Sequence, residues 1–295
     1  MNMKAFAGVA RAPFLTLPVT LIAVGAGAAA YDGYFSWGRT LLALAGLVAL
    51  HIAVNVFNEV SDMRTGIDLQ TVRTPFSGGS GTLPSGAITT KSAFIFGLCA
   101  AAVGLAIGIW FLSRTGMILL PVMILGAVCV LFYNNIFTRL GLGELAAGLG
   151  LGGLAVAGAA IVQNGTLGPA AIAASLPATF MTFNLLLLNE FPDEEADRQG
   201  GRRHLVIRFG RKSAALIYAL AALLTPIAIL ISVIISVLPI IALAAMIPSL
   251  LLIKPLRWAF QDSREAVPIP ALASNVQWIH ATNIALAVIF IIASL

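Results

Sequence analysis

The sequence predicts an all-α integral membrane protein, a bundle of nine transmembrane helices, and three observations carry that prediction. Of its 295 residues 59% are hydrophobic and 10% charged, whereas a soluble domain carries about 25% charged residues. The mean hydropathy of +0.98 leaves more apolar surface than one water-soluble core can hide. Apolar runs long enough to cross a bilayer as helices recur from about residue 12 to residue 295, with no long polar block between them. A single membrane-embedded domain over residues 1–295 is the economical organisation.

The first run, about 12–31, follows Lys4 and Arg11 and closes on Ala28-Ala29-Ala30, which superficially resembles a cleavable signal peptide. Its apolar part has the length of a span rather than of the short core of a signal peptide, so it reads as the first helix. The second run, about 40–60, leads into an acidic segment, and the third and fourth cover about 92–112 and 116–137. The fifth, about 143–163, contains the glycine run Gly148 to Gly153, tolerable in lipid and a mark of close helix packing. The sixth covers about 169–190. Pro239 and the short break around it divide the seventh, about 212–235, from the eighth, about 238–256, and the ninth is about 275–295. All are too long and too uniformly apolar for the strands of a barrel.

Lysine and arginine set the orientation. The N-terminus and the loops after the second, fourth, sixth and eighth spans hold 15 of the 17, Arg264 among them, and only Arg39 and Arg114 fall on the other side. The N-terminus and those loops are therefore expected on the cytoplasmic side and the C-terminus outside. The net charge of +5 follows this topological pattern, which excludes a nucleic-acid partner. The two cysteines, Cys99 and Cys129, lie in apolar runs with no CxxC or Cys/His spacing nearby, which argues against a disulfide framework and a structural zinc site.

Two of the cytoplasmic loops are long, about Asp62 to Lys91 and about Pro192 to Arg211, and they concentrate the chemistry. Eight of the 12 acidic residues form two clusters: Glu59, Asp62 and Asp68, then Glu190, Asp193, Glu194, Glu195 and Asp197. Both open alike, Asn58-Glu59-Val60-Ser61-Asp62 and Asn189-Glu190-Phe191-Pro192-Asp193, at an offset of 131 residues. Each closes a span, the second and the sixth, which points to a duplicated four-helix unit with a ninth helix added. Residues four apart share a helix face, so Asn58 aligns with Asp62, and Asn189, Asp193 and Asp197 form one line of oxygen donors. Two such hard, anionic lines could hold a pair of Mg²⁺ ions with a diphosphate between them.

The cations fit the same ligand. Arg64, Arg73, Arg139, Arg198, Arg202 and Arg203 all fall on the same side of the membrane as the carboxylates, and arginine grips phosphate as a fork. Ser77-Gly78-Gly79-Ser80-Gly81 could bring backbone N–H groups to an anion, but it lacks the lysine of a P-loop, so a nucleotide site is not supported. His51 and His280 read as residues satisfied inside the bundle, His204 as a structural or phosphate-proximal residue, and Asn134 and Asn135 as inter-helix hydrogen bonders.

These motifs resemble those of the UbiA superfamily of intramembrane prenyltransferases. The first family motif reads here Asn58 through Asp62 to Asp68, and the second reads Asn189, Asp193 and Asp197 followed by Arg198, Gly200, Gly201, Arg202 and Arg203. A third stretch, Tyr133 through Arg139 to Gly141-Leu142-Gly143-Glu144, is similar to the family's segment at the end of its fourth helix. The resemblance implies a nine-helix fold and transfer of a polyprenyl group from its diphosphate to an acceptor, usually aromatic, with membrane lipid around the prenyl groove. It implies Mg²⁺ as cofactor, with Asn58, Asp62, Asp68, Asn189, Asp193 and Asp197 binding the Mg²⁺-diphosphate. Asp62, Asp193 and Arg139 would be the catalytic residues, and Arg64, Arg73, Arg139, Arg198, Arg202 and Tyr133 the substrate-binding ones.

The first motif's last Asp stands at +10 with Gly66 at +8, which is similar to the menaquinone-pathway branch acting on 1,4-dihydroxy-2-naphthoate. The 4-hydroxybenzoate branch usually has that Asp at +8. Pro84-Ser85-Gly86 resembles a segment of other branches, chlorophyll synthases included, and Glu59 and His204 depart from the family pattern. The alternatives are a member of the same family with a 4-hydroxybenzoate, lipid or tetrapyrrole acceptor, and a cation-coupled transporter. The second fits less well, because transporters set their ionisable residues near the bilayer midplane.

Overall fold

The computed structural model describes residues 3–261 and 268–295; Arg264 lies outside them. Among the described residues there are no strands and nine helices long and apolar enough to cross a membrane. They are α1 (Ala12–Tyr31), α2 (Trp37–Thr65), α3 (Thr90–Thr115), α4 (Met117–Leu140), α5 (Gly143–Asn164), α6 (Pro169–Gln199), α7 (Leu205–Ile234), α8 (Ile240–Ala259) and α9 (Ile269–Ala293). A short helix, Met3–Val9, precedes α1.

Local chemistry sets several of the boundaries. Ser36 caps α2 by accepting the Arg39 N–H at 3.4 Å, and Thr89 caps α3 by accepting the Ser92 N–H at 3.1 Å. Gly66, with φ 82°, ends α2 in the left-handed conformation that a Cβ disfavours. The main departure from the sequence expectation concerns the ends of α2 and α6. They do not stop near residues 60 and 190 but run on to Thr65 and Gln199. The polar residues beyond the bilayer boundary keep the backbone hydrogen-bonded in the helix, and Pro192 removes only one amide from that ladder. The expected long loop from Pro192 to Arg211 is consequently helical apart from the turn 200–204 and a kink at Gly210, where φ 79° and ψ 160° interrupt α7. The ninth helix starts at Ile269 rather than near 275, with Pro270 in its first turn, where no amide donor is needed.

In the packing, α1 lies against α5 and α9, α2 along α3, and α6 along α7, while most of α4 faces outward. The glycine run brings α5 onto α6: a Cβ at Gly152 would stand 2.5 Å from the Ala178 carbonyl oxygen, so only glycine permits this approach. Polar side chains tie the buried helices where lipid offers no alternative partner. Tyr218 Oη donates to Asn275 Oδ1 at 2.8 Å, and Asn184 Nδ2 donates to the Tyr218 carbonyl at 3.0 Å, linking α6, α7 and α9. Isoleucines and leucines such as Leu131, Ile240 and Leu250 stand exposed on the outer faces, as a lipid surround requires. The consequence for function is that α2 and α6, four helices apart in sequence, bring their acidic ends to one chamber.

Candidate active site

The chamber is a cavity of about 250 Å³. Its walls are apolar, from Leu47, Leu50 and Val54 on α2, Gly126, Cys129 and Val130 on α4, Leu151 on α5, and Leu185 and Leu186 on α6. Its floor is polar: Asn58, Asp62, Asp68, Asn189, Asp193 and Asp197 all line it, together with Arg11, Tyr133, Glu190 and Arg202.

Arg202 is the link between the two clusters. From the turn after α6, its Nη2 donates to Asn58 Oδ1 at 2.8 Å and to Asp62 Oδ1, and its Nη1 donates to Asp197 Oδ1 at 3.3 Å. Burial works against its charge, but Asp62 and Asp197 outweigh burial and hold its pKa above the ordinary guanidinium value. The turn places it: Gly201 takes φ 83°, and the Arg202 N–H returns to the Asp197 carbonyl at 2.9 Å.

The glycine-rich loop closes over the floor. Thr74 Oγ1 accepts the N–H groups of Phe76 and Ser77 at 3.1 and 2.9 Å, and Gly78, Gly79 and Gly81 all take positive φ. The Gly78 N–H donates to Asp193 Oδ2 at 3.2 Å, so this loop amide meets a carboxylate of the floor. A Cβ on Gly79 would run into the Asp68 carboxylate. Glu59, fully buried, anchors the loop and the N-terminal segment together. It accepts from Ser80 N at 2.8 Å, Ser80 Oγ at 2.6 Å and Arg11 Nε at 2.6 Å. Arg11 itself sits at φ 50°, a strained setting for a side chain that reaches the cavity.

Asp68, in the short helix Ile67–Gln70, has its carboxyl pushed up to about 7, first by burial and then by the neighbouring charges of Glu59 and Asp62. Its Oδ2, like Asn189 Oδ1 and Asp193 Oδ1, is buried without a hydrogen-bond donor. Such a set of unpartnered hard oxygens fits Mg²⁺.

The candidate residues therefore divide. The six oxygen-donor residues, Arg202 and Tyr133 meet in the cavity, with Tyr133 aimed inward from a wide π-type turn, Tyr133–Phe137. Arg64, Arg73, Arg139 and Arg198 do not line it. Arg64 is exposed over the Phe94 ring at 5.8 Å, and Arg198 is paired with Glu194 on the outer face of α6. Arg73 donates to the Asp68 carbonyl at 2.8 Å, and Arg139 borders a separate small groove with Ser61, Asp62 and Arg202.

Three placements went unforeseen. Arg11 enters the cavity, although nothing but its position just before the first span marked it. His51, expected to be satisfied, lines the cavity with Nδ1 unpartnered. Glu144 lies fully buried, accepting the Leu205 N–H at 2.7 Å through Oε1, close to Glu190 and His204. An acid in the first turn of an otherwise apolar span was the available clue.

Residues 17–289 match the UbiA prenyltransferase family. The chain belongs to that family. It is an integral membrane prenyltransferase. A UbiA-family relative of Escherichia coli K12, 1,4-dihydroxy-2-naphthoate octaprenyltransferase, is 30% identical over 215 residues, 68% of this chain and 67% of the relative. Its namesake in Mycobacterium tuberculosis H37Rv is 28% identical over 222 residues, 71% and 73% of the two chains. Among solved structures, a UbiA homologue from Archaeoglobus fulgidus bound to GPP and Mg²⁺ shares the fold, with a TM-score of 0.67 at 16% identity over 97% of this chain and 99% of that one.

Proposed function

We propose that this UbiA member prenylates 1,4-dihydroxy-2-naphthoate, using a polyprenyl diphosphate and Mg²⁺, within one membrane-embedded domain whose N-terminus and polar site face the cytoplasm. The observation that carries the reading is the cavity itself, in which apolar walls meet a floor of carboxylates and a guanidinium. The names of the Escherichia coli and Mycobacterium tuberculosis relatives support the acceptor, and the lysine and arginine distribution supports the orientation.

Asn58, Asp62, Asp68, Asn189, Asp193 and Asp197 would hold the metal. When bound, Mg²⁺ supplies positive charge that neutralises the diphosphate as it leaves. Arg202 and Arg11 orient the diphosphate from the floor, and Tyr133 packs at its edge. The apolar walls seat the prenyl chain and exclude water from its C1, where positive charge develops as the C1–O bond breaks. The electron-rich acceptor ring then forms the new C–C bond at C1 as the C1–O bond breaks, and the attacked ring carbon regains aromaticity by expelling its substituent, a proton to the departing diphosphate or the carboxylate as CO₂. Arg139, bordering the neighbouring groove with Asp62 and Arg202, acts on the rim of the diphosphate subsite.

The test is an assay of the purified chain with radiolabelled farnesyl or geranylgeranyl diphosphate, offering 1,4-dihydroxy-2-naphthoate, 4-hydroxybenzoate and a glycerol-phosphate lipid separately, with Mg²⁺ or with EDTA. Mg²⁺-dependent product with the naphthoate alone is expected. Product with another acceptor instead reassigns the branch.

A further inference from the structure

At the edge of the cavity floor, which Glu190 also lines, Glu144, Glu190 and His204 come together from α5, α6 and the turn before α7. One ligand atom from each lies within 4.8 Å of the others, and all three residues are buried. Glu144 uses Oε1 on the Leu205 N–H and leaves Oε2 without a partner. Glu190 Oε2 is likewise unpartnered and stands 3.9 Å from His204 Nδ1, too far for a hydrogen bond. No guanidinium or ammonium among the described residues bonds to either carboxylate, because Arg202 directs its donors to Asn58, Asp62 and Asp197. Two buried carboxylates with no bonded guanidinium or ammonium are costly unless a proton or a metal ion joins them.

The other imidazole nitrogen decides what kind of charge fits. His204 Nε2 faces Asp197 Oδ2 at 3.4 Å. A ring with one nitrogen toward a carboxylate and the other toward a set of acidic oxygens has the arrangement by which proteins orient a metal-binding histidine. An imidazole in the set favours a borderline transition metal over Mg²⁺, which takes oxygen donors and keeps its waters. A divalent ion on two carboxylates and a neutral imidazole is also electrically neutral.

We propose that Glu144, Glu190 and His204 form a second metal site, for a divalent transition-metal ion of the Zn²⁺ class, separate from the diphosphate subsite and filled without substrate. It fixes the end of α6 to α5 and, through His204, holds Asp197 in line with the cavity floor.

The full chain in detergent is stripped with chelator, reloaded with Zn²⁺ in excess Mg²⁺ without diphosphate, freed of unbound metal and analysed by inductively coupled plasma mass spectrometry. About one Zn²⁺ per chain is expected for the wild type and for Asp62→Asn and Asp193→Asn, with loss of nearly all of it in Glu144→Gln and His204→Gln. No retained Zn²⁺ in the wild type overturns the proposal and leaves a proton shared between the two carboxylates. Equal loss in Asp62→Asn and His204→Gln overturns it too, by assigning the metal to the diphosphate subsite. Because a misfolded variant also loses metal, the extended X-ray absorption fine structure of the Zn²⁺-loaded wild type gives an independent reading: imidazole backscattering is expected, and an all-oxygen shell refutes the site.

Discussion

Arg202 and Asp62 meet as an ion pair although 140 residues separate them in the chain. The same guanidinium also reaches Asn58 and Asp197, so a single side chain ties the two acidic motifs into one floor. This has a direct consequence for substitution at 202. Arg202→Gln leaves Asp62 and Asp197 uncompensated and should cost about 3–5 kcal/mol of stability, visible as a lower thermal midpoint in detergent. Arg202→Lys should keep the charge but lose the fork, with the midpoint largely retained and the KM for the prenyl diphosphate raised about tenfold or more.

Asp62 and Asp193 occupy equivalent places in the two motifs. With the side-chain shape preserved, Asp62→Asn and Asp193→Asn should each lower turnover by at least about 100-fold, as expected for loss of a metal-binding carboxylate in a metal-assisted reaction, while leaving far-UV circular dichroism unchanged. Near-normal product formation by either variant in saturating Mg²⁺ would sink the two-cluster mechanism.

Asp68 makes the site sensitive to pH. Its carboxyl is raised to about 7, so below that pH the folded protein carries it protonated and a metal must displace the proton to bind. The Mg²⁺ concentration for half-maximal activity should therefore rise as pH falls through 7, by up to about tenfold per unit for one linked proton. Above that range it should be flat. Asp68→Asn should weaken Mg²⁺ at every pH and make the profile shallower. An unchanged slope in this variant would assign the proton wholly to another group.

Arg64 and Arg139 share a sequence signature but not a setting. Arg64 lies over Phe94 on the outer surface, so Arg64→Ala should change kcat/KM by less than about twofold, in the range of ordinary surface substitutions. Arg139 borders the groove that Asp62 and Arg202 share, and Arg139→Ala should raise the KM for the diphosphate severalfold with kcat little changed. Equal effects would mean that the two serve only topology.

The helical spacing made the oxygen donors readable in advance. Asn58 with Asp62, and Asn189 with Asp193 and Asp197, share faces whatever the surrounding packing does, and the span pattern carried them to one side of the membrane. The arginines were not readable in the same way. Arg202 and Arg203 are neighbours of identical chemistry, yet the Gly201 turn sends the first into the cavity, while the second is exposed. Arg11 turns inward through a left-handed backbone setting and its bond to Glu59, neither of which periodicity encodes. The lengths of α2 and α6 were underestimated because hydropathy marks where lipid ends, whereas these helices continue as long as their backbones stay hydrogen-bonded.

The distance in sequence between the two motifs also bears on how the molecule is made. When the ribosome has released α2, Asp62 stands at the membrane boundary without the guanidinium that later neutralises it, since Arg202 is synthesised four helices on and emerges only after α6. The first half of the chain must therefore wait in the bilayer with its acidic end still solvated, and the burial of that charge follows the synthesis of α6. A chain halted before the turn at 200–204 would hold six inserted helices and no closed floor.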